Sequence, residues 1–175
     1  MFQKLKDFYK KYFFKLPITP VIYFILDGAV TIESRIKRFT LPSVYLRAWK
    51  LDMLRGRYEK STTELFKKII KPGMIIVDVG AHVGYFTRLF SRLAKPIGRV
   101  YAFEADPSNF ALLKKNTEHC GNIVIHQMAI SDHVGNIDFF HSELKTVCHS
   151  TIPSSMRQTK LTVLAFTLDE LMQKE

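Results

Sequence analysis

Two carboxylates and two glycines fall where apolar runs give way to helical spacing. Asp78 ends the run M-I-I-V-D, Gly80 and Gly84 follow within G-A-H-V-G-Y, and Glu104 closes R-V-Y-A-F-E. A strand turning sharply into a helix directs backbone N–H groups at one spot. Glycine there lets a ligand approach the backbone, because no Cβ stands in the way. A carboxylate at the tip of the next strand can accept both hydroxyls of a ribose. A dinucleotide site wants G-x-G-x-x-G, whose extra glycine admits a pyrophosphate. Here that slot holds His82, and no G-x-x-x-x-G-K occurs. Asp78 beside the turn repels a pyrophosphate and welcomes an ammonium. The expected ligand is a nucleoside with a cationic amino-acid tail, which describes S-adenosylmethionine.

The elements that must position these residues are read from periodicity. Met74 to Val77 is a β-branched run of the kind buried on both faces of a parallel sheet. Phe86, Leu89, Phe90 and Leu93 then recur at helical spacing. Arg99 to Glu104 is a second strand, and 24 residues separate Gly80 from Glu104, as strand–helix–strand requires. Asp106-Pro107 opens the next helix as N-cap and first-turn residue, with Gly121 able to close it in the left-handed conformation. Ile123 to Ala129 is the third strand, running into Ser131-Asp132. Upstream, Ser61 and Glu64 have capping-box spacing before the stripe Leu65, Phe66, Ile69 and Ile70. Right-handed crossovers put the strand ends on one rim, so the fold class is α/β with a parallel sheet.

The front of the chain is different in kind. Residues 1–57 carry 12 of the 26 Lys/Arg and only 4 of the 16 Asp/Glu, leaving most of the net charge of +10 there. They form a basic N-terminal extension, and residues 58–175 the ligand-binding domain. Residues 2–16 make an amphipathic helix with aromatics opposite lysines, either packed on its own domain or lying on a membrane surface. Val21 to Leu26 is a strand or a short buried helix. Arg35, Lys37 and Arg38 form a basic cluster, read as solvated surface in preference to an acidic-substrate site. Basic character placed away from the rim argues against nucleic acid as partner. The stretch Leu16 to Val30 holds Pro17, Pro20 and Asp27 and is shorter than the roughly 18–20 residues of a membrane span. Cys120 and Cys148 form no disulfide framework, which fits reduced thiols in a cytoplasmic location. The histidines match no zinc spacing, so no metal is expected.

V-D-V-G-A-H-V-G-Y-F-T, then Y-A-F-E-A-D-P, L-K-K-N and A-I-S-D-H-x-G, flanked by G-R-Y-E-K and T-L-D-E-L, resemble the FkbM family of class I methyltransferases. The resemblance covers roughly Arg57 to Leu171. It implies a Rossmann-like fold and S-adenosylmethionine-dependent methylation of a hydroxyl on a sugar or other small-molecule acceptor. By that resemblance Gly80, Ala81 and Gly84 face the methionine end of the cofactor, Asp78 sits behind it, and His82 and Tyr85 lie beside it. Glu104 holds the ribose, Ala105 and the stretch Ala129 to Ser131 line the adenine, and Tyr58-Glu59 sit over the mouth. In the family T-L-D-E-L leads into a fourth parallel strand. This chain ends at Glu175, so an incomplete sheet lacking its C-terminal half is expected, and no catalytic base is assigned. The alternative is a non-catalytic remnant that binds a nucleoside, a partner or a membrane surface.

Overall fold

The computed structural model describes residues 19–43, 45, 47–142 and 158–173. The amphipathic stretch 2–16 lies outside them. Two helices, α1 (Thr19–Ile36) and α2 (Arg47–Leu54), precede α3 (Lys60–Ile69). The central unit then runs β1 (Ile75–Val79), α4 (Tyr85–Ala94), β2 (Arg99–Phe103), α5 (Pro107–Thr117) and β3 (Ile123–His126). It is followed by β4 (Ala129–Ile130), β5 (Gly135–Ser142), β6 (Gln158–Phe166) and the short α6 (Leu168–Met172). No helix among the described residues is long and apolar enough to cross a membrane.

Three strands form a parallel sheet in the order β1-β2-β3, with Asp78 opposite Ala102 and Val79 opposite Phe103. Helices α4 and α5 supply the crossovers, so all three C-terminal strand ends open on the same rim. One sheet face packs Ile76 and Val100 against Phe66, Phe86 and Phe90, and Ala102 against Leu113. The other packs Val77, Tyr101 and Phe103 against Ile130, Phe166 and Leu171. A second sheet, ordered β4-β6-β5, pairs β5 and β6 antiparallel and β4 parallel to β6.

Five expectations need correction. Val21 to Leu26 is part of an 18-residue helix, with Pro20 accommodated in its first turn. Strand β1 is not buried on both faces: Ile75 is 69% exposed and Val79 55%, because β1 stands at the edge of its sheet. The third strand breaks after His126, and Ala129 joins the second sheet opposite Ala165. Ser61 is not the N-cap of α3; Glu59 is, in the left-handed region at φ 43°, while Glu64 pairs with Lys67 at 2.7 Å. Gly121 is not left-handed; α5 ends at Thr117, whose hydroxyl bonds back to the Leu113 carbonyl at 2.8 Å. The cap at Asp106 forms as expected, accepting from the amides of Ser108 and Asn109, and Thr167 caps α6 by accepting from the Glu170 amide.

The N-terminal helices share a core with the central unit. Val30, Phe39, Tyr45, Met53 and Leu54 cluster around the fully buried Val83. Two polar side chains fasten this layer. Asn116 accepts from the Thr40 amide at 2.6 Å and donates to the carbonyls of Thr40 at 2.9 Å and Val83 at 2.8 Å. Arg88 donates to the carbonyls of Arg38 at 2.8 Å and Lys37 at 2.9 Å, and its guanidinium lies 5.0 Å from the Phe39 ring centroid.

Candidate functional site

The turn from β1 into α4 holds three left-handed residues in five: Gly80 (φ 76°), His82 (φ 54°) and Gly84 (φ 87°). Only glycine adopts this region without strain, so His82 is held there by its partners. The amides of Gly80 and Ala81 both donate to the Phe103 carbonyl, each at 2.9 Å. The His82 amide donates to Glu104 Oε2 at 2.7 Å, and the Gly84 amide to the Ala81 carbonyl at 2.9 Å. The expectation that this turn presents free N–H groups is therefore corrected for these four. They wrap the turn onto the end of β2. A phosphate would find no donor in them.

The two glycines do different work. A Cβ at Gly80 would meet no atom within 4 Å. One at Gly84 would come 2.9 Å from Leu113 Cδ1, so this glycine lets α4 and α5 close on each other. Gly84 is buried and its absent side chain is explained by packing.

Glu104 follows β2 directly and is 6% exposed. Besides the His82 amide it accepts the Asp106 amide at Oε1, 2.9 Å away. These two charge-assisted backbone bonds, with a further hydrogen bond from the Asn109 side chain, fix the carboxylate plane. Burial pushes its carboxyl above the ordinary glutamate value, and the two amides offset part of that rise. Asp78 is likewise pushed up by burial, with the Thr87 hydroxyl, donating at 2.5 Å, pulling the other way.

Aromatic side chains from the N-terminal layer reach this turn. Tyr45 stacks on the His82 ring, centroids 5.9 Å apart, and its hydroxyl lies 2.9 Å from Nε2. Trp49 meets Tyr45 edge-on. Tyr58 stands edge-on to Tyr85 at 5.3 Å, and its hydroxyl is pushed up to about 12 by burial first and by the adjoining Glu59 charge second. Tyr45 and Trp49 were missed in the sequence, where residues 21–57 show no period that would single them out.

The structure thus brings Gly80, Ala81, His82 and Glu104 into one hydrogen-bonded group, with Asp78 tied to Thr87 in α4 and Tyr85 beside Tyr58 and Glu59. Ala105 follows Glu104 and is half-buried. Ala129 and Ser131 belong to the second sheet, where the Ser131 amide bonds the Phe166 carbonyl at 2.9 Å.

A parallel β-α-β-α-β unit with glycine turn and paired carboxylates at one rim is a Rossmann-like α/β domain. The family model described as the methyltransferase FkbM domain matches residues 78–175, more than half of the chain, and the chain belongs to that family of S-adenosylmethionine-dependent methyltransferases. It is 31% identical over 90 residues to the 2-O-methyltransferase NoeI of Sinorhizobium fredii, covering 49% of this chain and 37% of that protein. It is 40% identical over 67 residues to the 31-O-demethyl-FK506 methyltransferase FkbM of Streptomyces tacrolimicus, covering 38% of this chain and 25% of that protein. The matched stretches span well under half of either relative. The solved methyltransferase FkbM of Methylobacillus flagellatus superposes with a TM-score of 0.36 at 14% identity, over 87% of this chain and 38% of that one.

Proposed function

We propose that this chain is the cofactor-holding portion of an O-methyltransferase that uses S-adenosylmethionine and acts on a hydroxyl of a sugar or other small metabolite. The observation that carries this reading is Glu104, a buried carboxylate at the tip of β2 whose two oxygens are each held by a backbone amide. That pair suits the two hydroxyls of a ribose. The rest of the turn fits the same group. Its bonded amides offer nothing to a pyrophosphate, Gly80 leaves room for close approach, and the Asp78 carboxylate suits an ammonium. Bound S-adenosylmethionine supplies a methyl group on a sulfonium.

In this reading Gly80, Ala81, Gly84, His82 and Tyr85 border the methionine end. Glu104 orients the ribose, Ala105, Ala129 and Ser131 line the adenine, and Tyr58 and Glu59 stand at the mouth. Residues 19–57 act as an extension that covers the site, packing Tyr45 and Trp49 beside His82. The chain's task is to hold the donor still and dry, since methyl transfer gains most from alignment of the acceptor oxygen. Both curated relatives carry O-methyl transfer in their names, which supports oxygen as the acceptor atom. A cytoplasmic location accords with this reading. Residues 2–16 carry no part of it.

The test is calorimetric titration of S-adenosylhomocysteine into the purified chain. Binding is expected, weakened about 100-fold by Glu104→Ala, the loss of two hydrogen bonds to a charged group. Glu104→Gln, which keeps the shape, separates lost binding from lost folding. A folded chain that takes up no ligand would overturn the proposal and leave the non-catalytic remnant.

A further inference from the structure

A cleft of about 540 Å³ opens between the N-terminal layer and the outer faces of α3 and α4, with Tyr85 on its wall. Its floor is apolar: Phe39, Met53, Leu54 and Leu89, all buried. Its polar wall is basic, made by Lys37, Arg55, Lys67, Arg88 and Arg92, and among the described residues no acidic one lines it. Nearby carboxylates answer only part of that charge. Glu33 is shared between Lys37 at 3.3 Å and Arg55 at 3.4 Å, and Glu64 pairs with Lys67. Arg88 is held by carbonyl oxygens, and Arg92, one turn further along α4, has no ion pair among the described residues. About three positive charges thus face one apolar-floored cleft, a surplus that favours an anion of more than one charge.

The two longer stretches outside the described residues are both net basic. Residues 1–18 carry five lysines against one aspartate, and residues 143–157 one lysine and one arginine against one glutamate.

We infer that this cleft binds a phosphate monoester, its phosphate between Arg92, Lys67 and Arg88 and its organic body on Phe39, Met53 and Leu89. The Arg92 guanidinium fork can take phosphate oxygens two at a time, while Arg88, held by its two carbonyls, adds charge beside it. Because Tyr85 belongs to both the cleft wall and the glycine turn's helix, the bound molecule is the methyl acceptor or its carrier. That last step rests on the methyltransferase reading, whereas the phosphate site does not.

The experiment titrates phenyl phosphate and inorganic phosphate into the ligand-free chain and follows amide shifts by NMR. Sedimentation with phosphatidylcholine vesicles, with and without phosphatidic acid, runs in parallel. Phenyl phosphate should bind more tightly than inorganic phosphate and move the amides of Leu89 and Arg92. Arg92→Gln with Lys67→Gln, both exposed, should weaken binding about tenfold or more. Selective sedimentation with phosphatidic acid, abolished by the same pair, would assign the phosphate to a lipid headgroup; capture of phenyl phosphate alone would assign it to a free metabolite. Binding by neither carrier, or shifts confined to other residues, would overturn the site. The shift map in the unsubstituted chain decides even where the variant folds poorly. Phenyl phosphate binding by a chain that fails to take S-adenosylhomocysteine would keep the site and sink only its assignment to the acceptor.

Discussion

At the scale of single residues, Asp78 and Glu104 set a pH dependence whose sign follows from their burial. Both carboxyls sit above their ordinary values because desolvation penalises the charged form. A raised folded-state value means the folded chain holds its protons longer than the unfolded one. Their contribution to stability is therefore full below the ordinary carboxylate value and is lost as pH rises through the folded-state values. In the proposed reading a cationic cofactor beside Asp78 reverses the preference, because it favours the ionised carboxylate. Affinity for S-adenosylmethionine should therefore rise as pH passes upward through the raised folded-state value of Asp78. Thr87→Val removes the hydroxyl that favours the carboxylate, so it should move the midpoint of that rise to higher pH. Calorimetric titrations across that pH range measure this directly, and superimposable profiles for the two proteins would sink it.

At the scale of elements, the joint between α4, α5 and the N-terminal layer decides whether the turn keeps its shape. Asn116 makes three bonds there with no exposure to water, and Gly84 lets Leu113 approach. Asn116→Ala should cost about 3 kcal/mol, since it leaves buried carbonyl and amide groups without partners. Gly84→Ala should cost about 2 kcal/mol from backbone strain and the crowded Cβ. Gly121→Ala should be neutral or stabilising by about 0.5 kcal/mol, because Gly121 has open space around it and no positive φ. Urea denaturation of the three variants tests the ranking.

Gly121 also marks where the sequence stops being readable. Its position after a helical run is a fair C-cap signal, but the Thr117 hydroxyl ends α5 first. Local signals that need only neighbours in the chain were legible: the strand–turn–helix at Asp78 to Phe90 and the Asp106-Pro107 start. Those that depend on distant partners were not. Val21 to Leu26 is too short to choose its own state, and Pro20 reads as a stop although a first turn tolerates it. Tyr45 reaches His82 only through the fold. The bonded amides of the turn depend on Phe103 and Glu104, more than twenty residues on. The residues of the turn and of the β2 tip could be picked by type and order, whereas their hydrogen bonding could not.

At the scale of the whole molecule, two of the apolar surfaces exposed among the described residues form continuous features. Strand β1 has a partner on one side only among the described residues, and Ile75 and Val79 stand on the same face of that edge. On α1, Ile25, Ile32 and Ile36 form one exposed stripe at spacings of seven and four. An open edge flanked by apolar side chains is a template for pairing with another strand, and natural edges are usually blunted by charge or proline. Neither occurs in Ile75–Val79 except Asp78, which points to α4 and Thr87. The purified chain should therefore self-associate, its weight-average sedimentation coefficient rising with concentration. Two substitutions separate the sources. Ile75→Lys places charge on the strand edge, and Ile32→Glu places it on the helix stripe. If edge pairing dominates, only the first should return the chain to monomer. A helix-borne contact would instead respond to the second, and a monomer at every concentration would mean that neither surface is sticky enough to matter.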